Sequence, residues 1–410
     1  MPAMPLGLAC IAEATKMAGN DVTMLDLMFQ TDVSTSLEDM ISEVQPECIG
    51  ISVRNIDDQH IENTQFLIEK VKQVVTTCRG LSTSPIVLGG AGYSMFPESA
   101  LAYLDADFGI AGEGEIAFSE LLSHLRNDDD PSRIPGLYIK GEGSHQPKML
   151  CKNLDQLPLP QTSILSDSAS QSHEPWIPLQ TRRGCALKCS YCSTSAIEGP
   201  ILRKRSPEIV SEWLESWVRA GYTSFFFVDN TFNLPPAYAK SICQLILQKK
   251  LEMSWRCIIY PNKVDRELVD LMSASGCKQI SLGFESGSEQ MLKNLNKQFT
   301  LDDVRAVSDM FADRGIERMG FLLLGGPGET TQSVEESLAF ADDLKLDALR
   351  VTAGIRIYPE TKLAETSMNQ GVISSSANLL HPHFYLSQEL EGWLSNRLRE
   401  WQASRPYVIM

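Results

Sequence analysis

From about residue 7 to residue 125, short apolar runs alternate with stretches whose apolar positions recur every three or four residues. Short runs read as strands and the 3.6-residue period reads as helix, so the order predicts a parallel sheet with crossover helices. A helix is expected through Gly7–Gly19, closed by a C-terminal glycine, then strands at Val22–Leu27 and Glu47–Val53. The helix of Ile61–Thr77 leads to the strand Ile86–Leu88, which ends in Gly89-Gly90. A helix around Glu98–Leu104 precedes a last strand at Phe108–Ala111, closed by Gly112-Glu113-Gly114-Glu115. Open parallel sheets bind ligands just beyond the C-terminal ends of their strands, so glycines there are candidate contacts; simple turn chemistry would use them equally well.

Residues 126–176 turn polar and rich in Asp, Ser, Pro and Gly, with the acidic run Asp128–Asp130 and Pro158-Leu159-Pro160. They read as a linker carrying a short hairpin made of Gly136–Lys140 and Lys148–Lys152. Alternation resumes at Ile177, with strands expected at 177–183, 223–229, 253–260, 278–284, 318–325 and 348–356. Helices are expected between them at 207–220, 236–250, 264–275, 301–314 and 331–345. Six such units fit a partial (βα) barrel, whose ligands gather at the C-terminal strand ends. The chain therefore divides into 1–125, 126–176, 177–359 and a C-terminal extension, 360–410, that holds Trp393 and Trp401. The fold class is α/β throughout.

The net charge of −16 argues against a general nucleic-acid binder, which needs a basic stripe to displace counterions. The one basic knot, Arg203-Lys204-Arg205, follows a cysteine-rich loop and suits either a solvated loop or a place near an anionic ligand. No uncharged apolar run is long enough for a membrane span. The opening MPAMPLGLACIAEA lacks the basic start of a secretory leader. A cytoplasmic, reducing setting is expected. Of ten cysteines, seven stand singly in mostly apolar surroundings and read as buried thiols.

The other three form Cys185-Ala186-Leu187-Lys188-Cys189-Ser190-Tyr191-Cys192, a C-x3-C-x2-C pattern directly after the first expected barrel strand. Three thiolates on one loop can hold three irons of a 4Fe–4S cube and leave the fourth iron open. An open position marks a catalytic metal centre; structural zinc wants four ligands, usually as two paired modules. The sequence offers no second C-x2-C or H-x3-5-H pair.

That loop, with an aromatic residue before its third cysteine and a (βα) barrel around it, resembles the radical S-adenosylmethionine superfamily over about residues 177–359. The resemblance implies a 4Fe–4S cluster on Cys185, Cys189 and Cys192, with Tyr191 beside the cofactor. Phe227-Val228-Asp229-Asn230 matches the second-strand end, where Asp229 would receive the methionine ammonium. Ser281-Leu282-Gly283-Phe284-Glu285-Ser286-Gly287 matches the ribose-binding strand end, which assigns Glu285 and Ser286. Gly320–Thr330 matches the segment beneath the adenine, which assigns Gly325 and Gly326. Ile355–Thr361 departs from the family's usual Pro-Gly-Thr by having Glu360 in place of glycine.

Pro5-Leu6-Gly7-Leu8, Val22–Leu27, Ile51–Asn55, Leu88–Gly90 and Gly112–Glu115 together resemble the Rossmann-like, flavodoxin-type cobalamin-binding domain that precedes the barrel in one subclass. The resemblance implies cobalamin as a further cofactor, resting near Gly89, Gly90, Gly112 and Glu113. The D-x-H-x-x-G motif is absent, so Arg54 or Asn55, after the strand ending at Val53, would face cobalt. The family's first strand, ahead of the Pro-Leu-Gly-Leu helix, is missing from this sequence. The implied chemistry is one-electron cleavage of S-adenosylmethionine to a 5′-deoxyadenosyl radical, followed by methylation of an unactivated carbon. A radical oxidoreductase or cyclase shares the architecture, and a non-catalytic iron–sulfur or metal-binding protein is the reading of another class. The expected partners are a small-molecule or peptide substrate and an external one-electron reductant such as flavodoxin or ferredoxin.

Overall fold

The computed structural model describes residues 4–165 and 176–410. In the front domain, α1 (Leu6–Met17) and α2 (Val33–Val44) precede β1 (Ile49–Ser52), and α3 (Ile68–Leu81) leads to β2 (Ile86–Gly89). Then come α4 (Ala91–Met95), α5 (Pro97–Leu104), β3 (Phe108–Ile110), α6 (Gly114–Asn127), β4 (Leu137–Ile139) and β5 (Gly143–Ser144). The sheet order is β1-β2-β3-β4-β5. β1, β2 and β3 are parallel, while β4 and β5 add antiparallel.

Four expectations change here. Val22–Leu27 is not a strand: no strand lies beside it among the described residues, and a β conformation is stabilised by the ladder of a neighbour. Its side chains still pack, Val22 and Met24 against the barrel core and Leu25 and Leu27 against the front-domain core. The third helix begins at Ile68 rather than Ile61, because 61–67 forms turns. The hairpin partner of β4 is Gly143–Ser144, not Lys148–Lys152, since a tight turn at Gly141 (φ 80°) brings the chain straight back. The helices α2 and α6 were not anticipated, and α6 starts inside the Gly-Glu-Gly-Glu segment read as a strand closure. The linker stretch 166–175 lies outside the described residues.

The barrel runs β6 (Ile177–Leu179), β7 (Arg182–Arg183), α7 (Thr194–Glu198), β8 (Arg203–Lys204), α8 (Pro207–Arg219), β9 (Ser224–Phe227), α9 (Pro236–Gln248), β10 (Ser254–Ile259) and α10 (Arg266–Ala274). It continues with β11 (Cys277–Glu285), α11 (Glu289–Asn294), α12 (Leu301–Ala312), β12 (Glu317–Leu324), α13 (Thr331–Asp343) and β13 (Ala348–Ala353). The extension contributes β14 (Ile355–Arg356), α14 (Lys362–Asn369), β15 (Phe384–Tyr385), α15 (Leu394–Gln402) and β16 (Val408–Ile409). Seven parallel strands follow the order β16-β13-β12-β11-β10-β9-β6. Six were expected; the seventh, β16, is two residues long and joins the edge at β13.

Local chemistry explains the helix starts. α8 and α9 carry proline in the first turn, where its fixed φ suits the helix. Thr300 and Thr330 close capping boxes on α12 and α13. On β10, Trp255, Cys257 and Ile259 are buried and alternate with partly exposed residues, so one strand face meets the helix layer. There Trp217, Phe225, Phe227, Trp255 and Phe284 form the core, with Phe227 and Trp255 edge to face at 5.1 Å. Burying each such ring stabilises the fold by roughly 1.5–3 kcal/mol.

Candidate active site

The cysteine loop is not a simple continuation of β6. The expected strand 177–183 breaks after Leu179, and Arg182–Arg183 instead pairs antiparallel with Arg203–Lys204. Residues 184–202 therefore form a loop closed at its base by its own two-stranded ladder. Gly184, at φ 88°, makes the turn; a Cβ there would lie 2.2 Å from the Ile201 carbonyl oxygen. The Glu198 carboxylate gathers the base, accepting from Gly184 N at 3.0 Å, Asn230 Nδ2 at 2.9 Å and Gln180 Nε2 at 2.8 Å. From outside, Ser190 N donates to the Leu295 carbonyl at 3.1 Å and Leu363 N to the Ser190 carbonyl at 2.8 Å.

Cys185, Cys189 and Cys192 are free, half-buried thiols on this pinned loop, close enough to interact electrostatically. Burial pushes the Cys185 thiol up to about 11 and raises Cys189 as well. Coordination overrides such a rise, because a metal-bound thiol is deprotonated outright. Among the described residues, no three His, Cys, Asp or Glu side chains converge on one metal ion. Three thiolates on one loop suit a cube, in which each takes a different iron, whereas structural zinc wants four ligands.

Of the residues assigned to S-adenosylmethionine, the structure brings Glu285 and Tyr191 together and turns two others away. Lys297 Nζ lies 3.2 Å from Glu285 Oε1 and 3.0 Å from the Tyr191 hydroxyl. Glu285 itself holds φ at 63°, a left-handed conformation that a residue with a Cβ seldom adopts. Asp229 is 0% exposed and fully engaged. It accepts from Thr181 N at 2.7 Å, Thr181 Oγ1 at 2.6 Å and Arg182 N at 3.1 Å, with Arg182 Nε at 3.4 Å. Burial raises its pKa against the pull of Arg182 and Thr181. Ser286 is likewise buried, bonded to Ser337 Oγ at 3.0 Å and accepting from Ser288 N. The Gly325 and Gly326 amides both donate to Glu329 Oε2, and Glu329 Oε1 is a buried oxygen without a hydrogen-bond partner among the described residues. Desolvation lifts Glu329 to about 7.

In the front domain, Arg54 and Asn55 are exposed after β1. Gly90, at φ 97°, passes so close to β1 that a Cβ would lie 2.7 Å from the Val53 carbonyl oxygen. Beyond the ends of β2 and β3 lies a cavity of about 480 Å³, lined by Ser94, Met95, Ala111, Tyr138 and Lys148, with Glu360 from the barrel side. The Arg54 backbone packs on α4, the helix that supplies Ser94 and Met95. Neither Arg54 nor Asn55 lines that cavity, but a cavity at parallel-strand ends, walled by two domains, fits one part of a large ligand such as cobalamin. Gly112 N donates to Ser94 Oγ at 2.9 Å, and Glu113 accepts from Arg203 Nη1 and Cys151 N, both at 2.6 Å.

Arg203 and Arg205 of the basic knot are neither solvated nor ligand-facing. Their buried guanidiniums staple the loop to Glu113 and to the Cys151, Leu154 and Leu157 carbonyls. A second tie joins Arg356, at the sixth-strand end, to Asp57 of the front domain at 2.8 Å, with both side chains at most 2% exposed. The sequence did not flag Lys297, Glu198, Asp57 or Arg356 as site residues. Each is an isolated polar residue in a loop, at a strand end or in a short helix, and only its partners distinguish it. Glu329 was legible only as part of a Gly-Pro-Gly-Glu turn.

The matches to known proteins agree with this geometry. Residues 179–341 match the Radical SAM superfamily model and residues 2–122 the B12 binding domain model. An uncharacterised methyltransferase of Pyrococcus horikoshii is 27% identical over 379 residues, covering 90% of this chain and 79% of that protein. Tryptophan 2-C-methyltransferase of Streptomyces laurentii is 22% identical over 435 residues, covering 90% and 73%. Among solved structures, a radical S-adenosylmethionine methyltransferase from Kitasatospora setae, determined with tryptophan and a cofactor analogue, superposes with a TM-score of 0.87. It is 21% identical and the match covers 100% of this chain and 88% of that one. A second structure of that enzyme, with cobalamin and a [4Fe-4S] cluster bound, gives 0.81 at 23% identity over 92% of this chain and 74% of that one. With the cysteine loop, the half-barrel and the strand-end cavity of the front domain all in one chain, the protein carries a Radical SAM domain over residues 179–341 and, ahead of it, a B12-binding domain over residues 2–122.

Proposed function

We propose that this enzyme transfers a methyl group from cobalamin to an unactivated carbon of a small-molecule substrate. The observation that carries the reading is the seating of the front-domain cavity against the barrel. Its far wall is Pro359 and Glu360, immediately after the strand end that the Arg356–Asp57 pair locks to the Arg54 loop. When bound, the cluster and S-adenosylmethionine supply one-electron cleavage, and cobalamin supplies the methyl group.

In this reading Cys185, Cys189 and Cys192 hold the cluster, and Glu285 takes the ribose hydroxyls. Gly325 and Gly326 form the backbone beneath the adenine, their amides held by Glu329. Arg54 or Asn55 faces cobalt from the exposed loop, and Gly89, Gly90 and Gly112 let backbone approach the corrin. Asp229 and Ser286 stay in the frame of the site, because their polar atoms are already spent. The relatives' names include tryptophan and a cytidylyl phosphonate as substrates, which single out no substrate here. A flavodoxin or ferredoxin in the cytoplasm would be the electron source.

The deciding experiment supplies reduced, cobalamin-loaded enzyme with methyl-labelled S-adenosylmethionine and a metabolite extract, and follows products by mass spectrometry. Label in a new carbon–methyl bond is the expected result. 5′-Deoxyadenosine or oxidised product without methyl transfer would move the function to a radical oxidoreductase or cyclase.

A further inference from the structure

Lys297 sets a buried ammonium against the cysteine loop. Its side chain is 4% exposed, and its neighbours on the chain fasten it there. Leu295 accepts from Ser190 N, Asn296 Nδ2 donates to the Lys188 carbonyl, and Gln298 N donates to Tyr260 Oη at 2.8 Å. The ammonium lies 5.2 Å from the centroid of the Tyr191 ring, besides its contacts to the Tyr191 hydroxyl and Glu285.

A buried cation is costly to keep unless its charge is used or matched. Glu285 matches it, and the contact also restrains a carboxylate whose backbone is in a strained conformation. The same ammonium bonds the hydroxyl of Tyr191, which stands between Cys189 and Cys192 in the loop. A cube on three thiolates is anionic and gains a further negative charge on reduction. A fixed cation close by, in a site shielded from water, favours the reduced form.

We propose that Lys297 is a positioning residue of this site, whose buried ammonium holds Tyr191 and Glu285 in place and biases the cluster toward its reduced state. The proposal rests on the cluster assignment to Cys185, Cys189 and Cys192. It requires only the one electron that an external low-potential donor delivers, with no proton or bond change.

The test compares full-length, anaerobically reconstituted wild type with Lys297→Met, Lys297→Arg and Glu285→Gln. Iron and sulfide are measured first, then the cluster midpoint, by titration with titanium(III) citrate followed by electron paramagnetic resonance, without S-adenosylmethionine. Lys297→Met should keep its iron and titrate at a more negative potential, and Lys297→Arg should return toward wild type. Glu285→Gln, which leaves the ammonium unmatched, should shift the opposite way. If Lys297→Met fails to load, the Glu285→Gln shift decides: a midpoint that does not move positive overturns the proposal. A loaded Lys297→Met protein with the wild-type midpoint overturns the lysine's role alone. Wild type that takes up no iron would sink the cluster assignment, and the proposal with it.

Discussion

Replacing Asp229 by alanine separates two roles that the same residue type could play at this position. A carboxylate that receives a substrate ammonium is spare in the empty protein, and its loss costs affinity but little stability. Asp229 instead accepts from two Thr181 donors and the Arg182 amide, and pairs with the Arg182 guanidinium, all with no exposed surface. Removing it strands those donors and leaves a buried cation without its counter-charge, a loss typically worth about 3–5 kcal/mol. The lower end applies here, because the other Arg182 nitrogens keep the Thr231, Phe232 and Leu234 carbonyls. Asp229→Asn keeps one acceptor but loses the same counter-charge and turns an NH2 group toward the remaining donors, so it should cost nearly as much. Of six tryptophans, residues 213, 217, 255, 393 and 401 lie in the barrel and its extension and Trp176 stacks on Arg256 of β10, so fluorescence reports this half of the molecule. In urea a 3 kcal/mol loss should lower the midpoint by roughly 1 M or more, given slopes of about 1–3 kcal/mol/M. An Asp229→Ala protein with an unchanged midpoint but weakened S-adenosylmethionine binding would refute this argument and return Asp229 to the ligand.

Three further outcomes can be checked with the same protein. The triple Cys185→Ala, Cys189→Ala, Cys192→Ala variant should fold and lose all bound iron, measured with S-adenosylmethionine cleavage; full iron content would remove these ligands. Glu329, lifted to about 7 from an ordinary 4.5, is disfavoured in its charged form by the fold. Stability should therefore be highest below the ordinary value and fall by about 3 kcal/mol as pH rises through 7. Glu329→Gln should flatten that slope in urea titrations between pH 5 and 8, and a retained slope would contradict the assignment. Asp57→Ala leaves the Arg356 guanidinium buried without its counter-charge while its Ile357 and Leu379 carbonyl partners remain, so thermal unfolding should show the domain junction destabilised by about 3 kcal/mol. Corrinoid uptake should drop while iron content holds, and equal loss of both would point to general unfolding instead.

The sequence by itself determined what depends on neighbours along the chain. The three cysteines and their spacing, the strand–helix alternation of the barrel and the five barrel helices all follow from local period, turn residues and spacing. The strands at 253–260, 278–284 and 318–325 match to within a residue or two, because side chains on successive strand residues alternate between buried and less buried faces. Tertiary structure decided whatever needs a partner distant in sequence. Val22–Leu27 has the composition of a strand but finds no ladder among the described residues, whereas Val408–Ile409 becomes one by meeting β13. Asp229 and Glu285 look alike in sequence, as acidic residues at strand ends; Thr181 and Arg182 close over the first, while Lys297 comes across from the loop after α11 to the second. Whether a charged side chain serves the frame or the ligand is set by which donors reach it in space, and local sequence does not encode those distances.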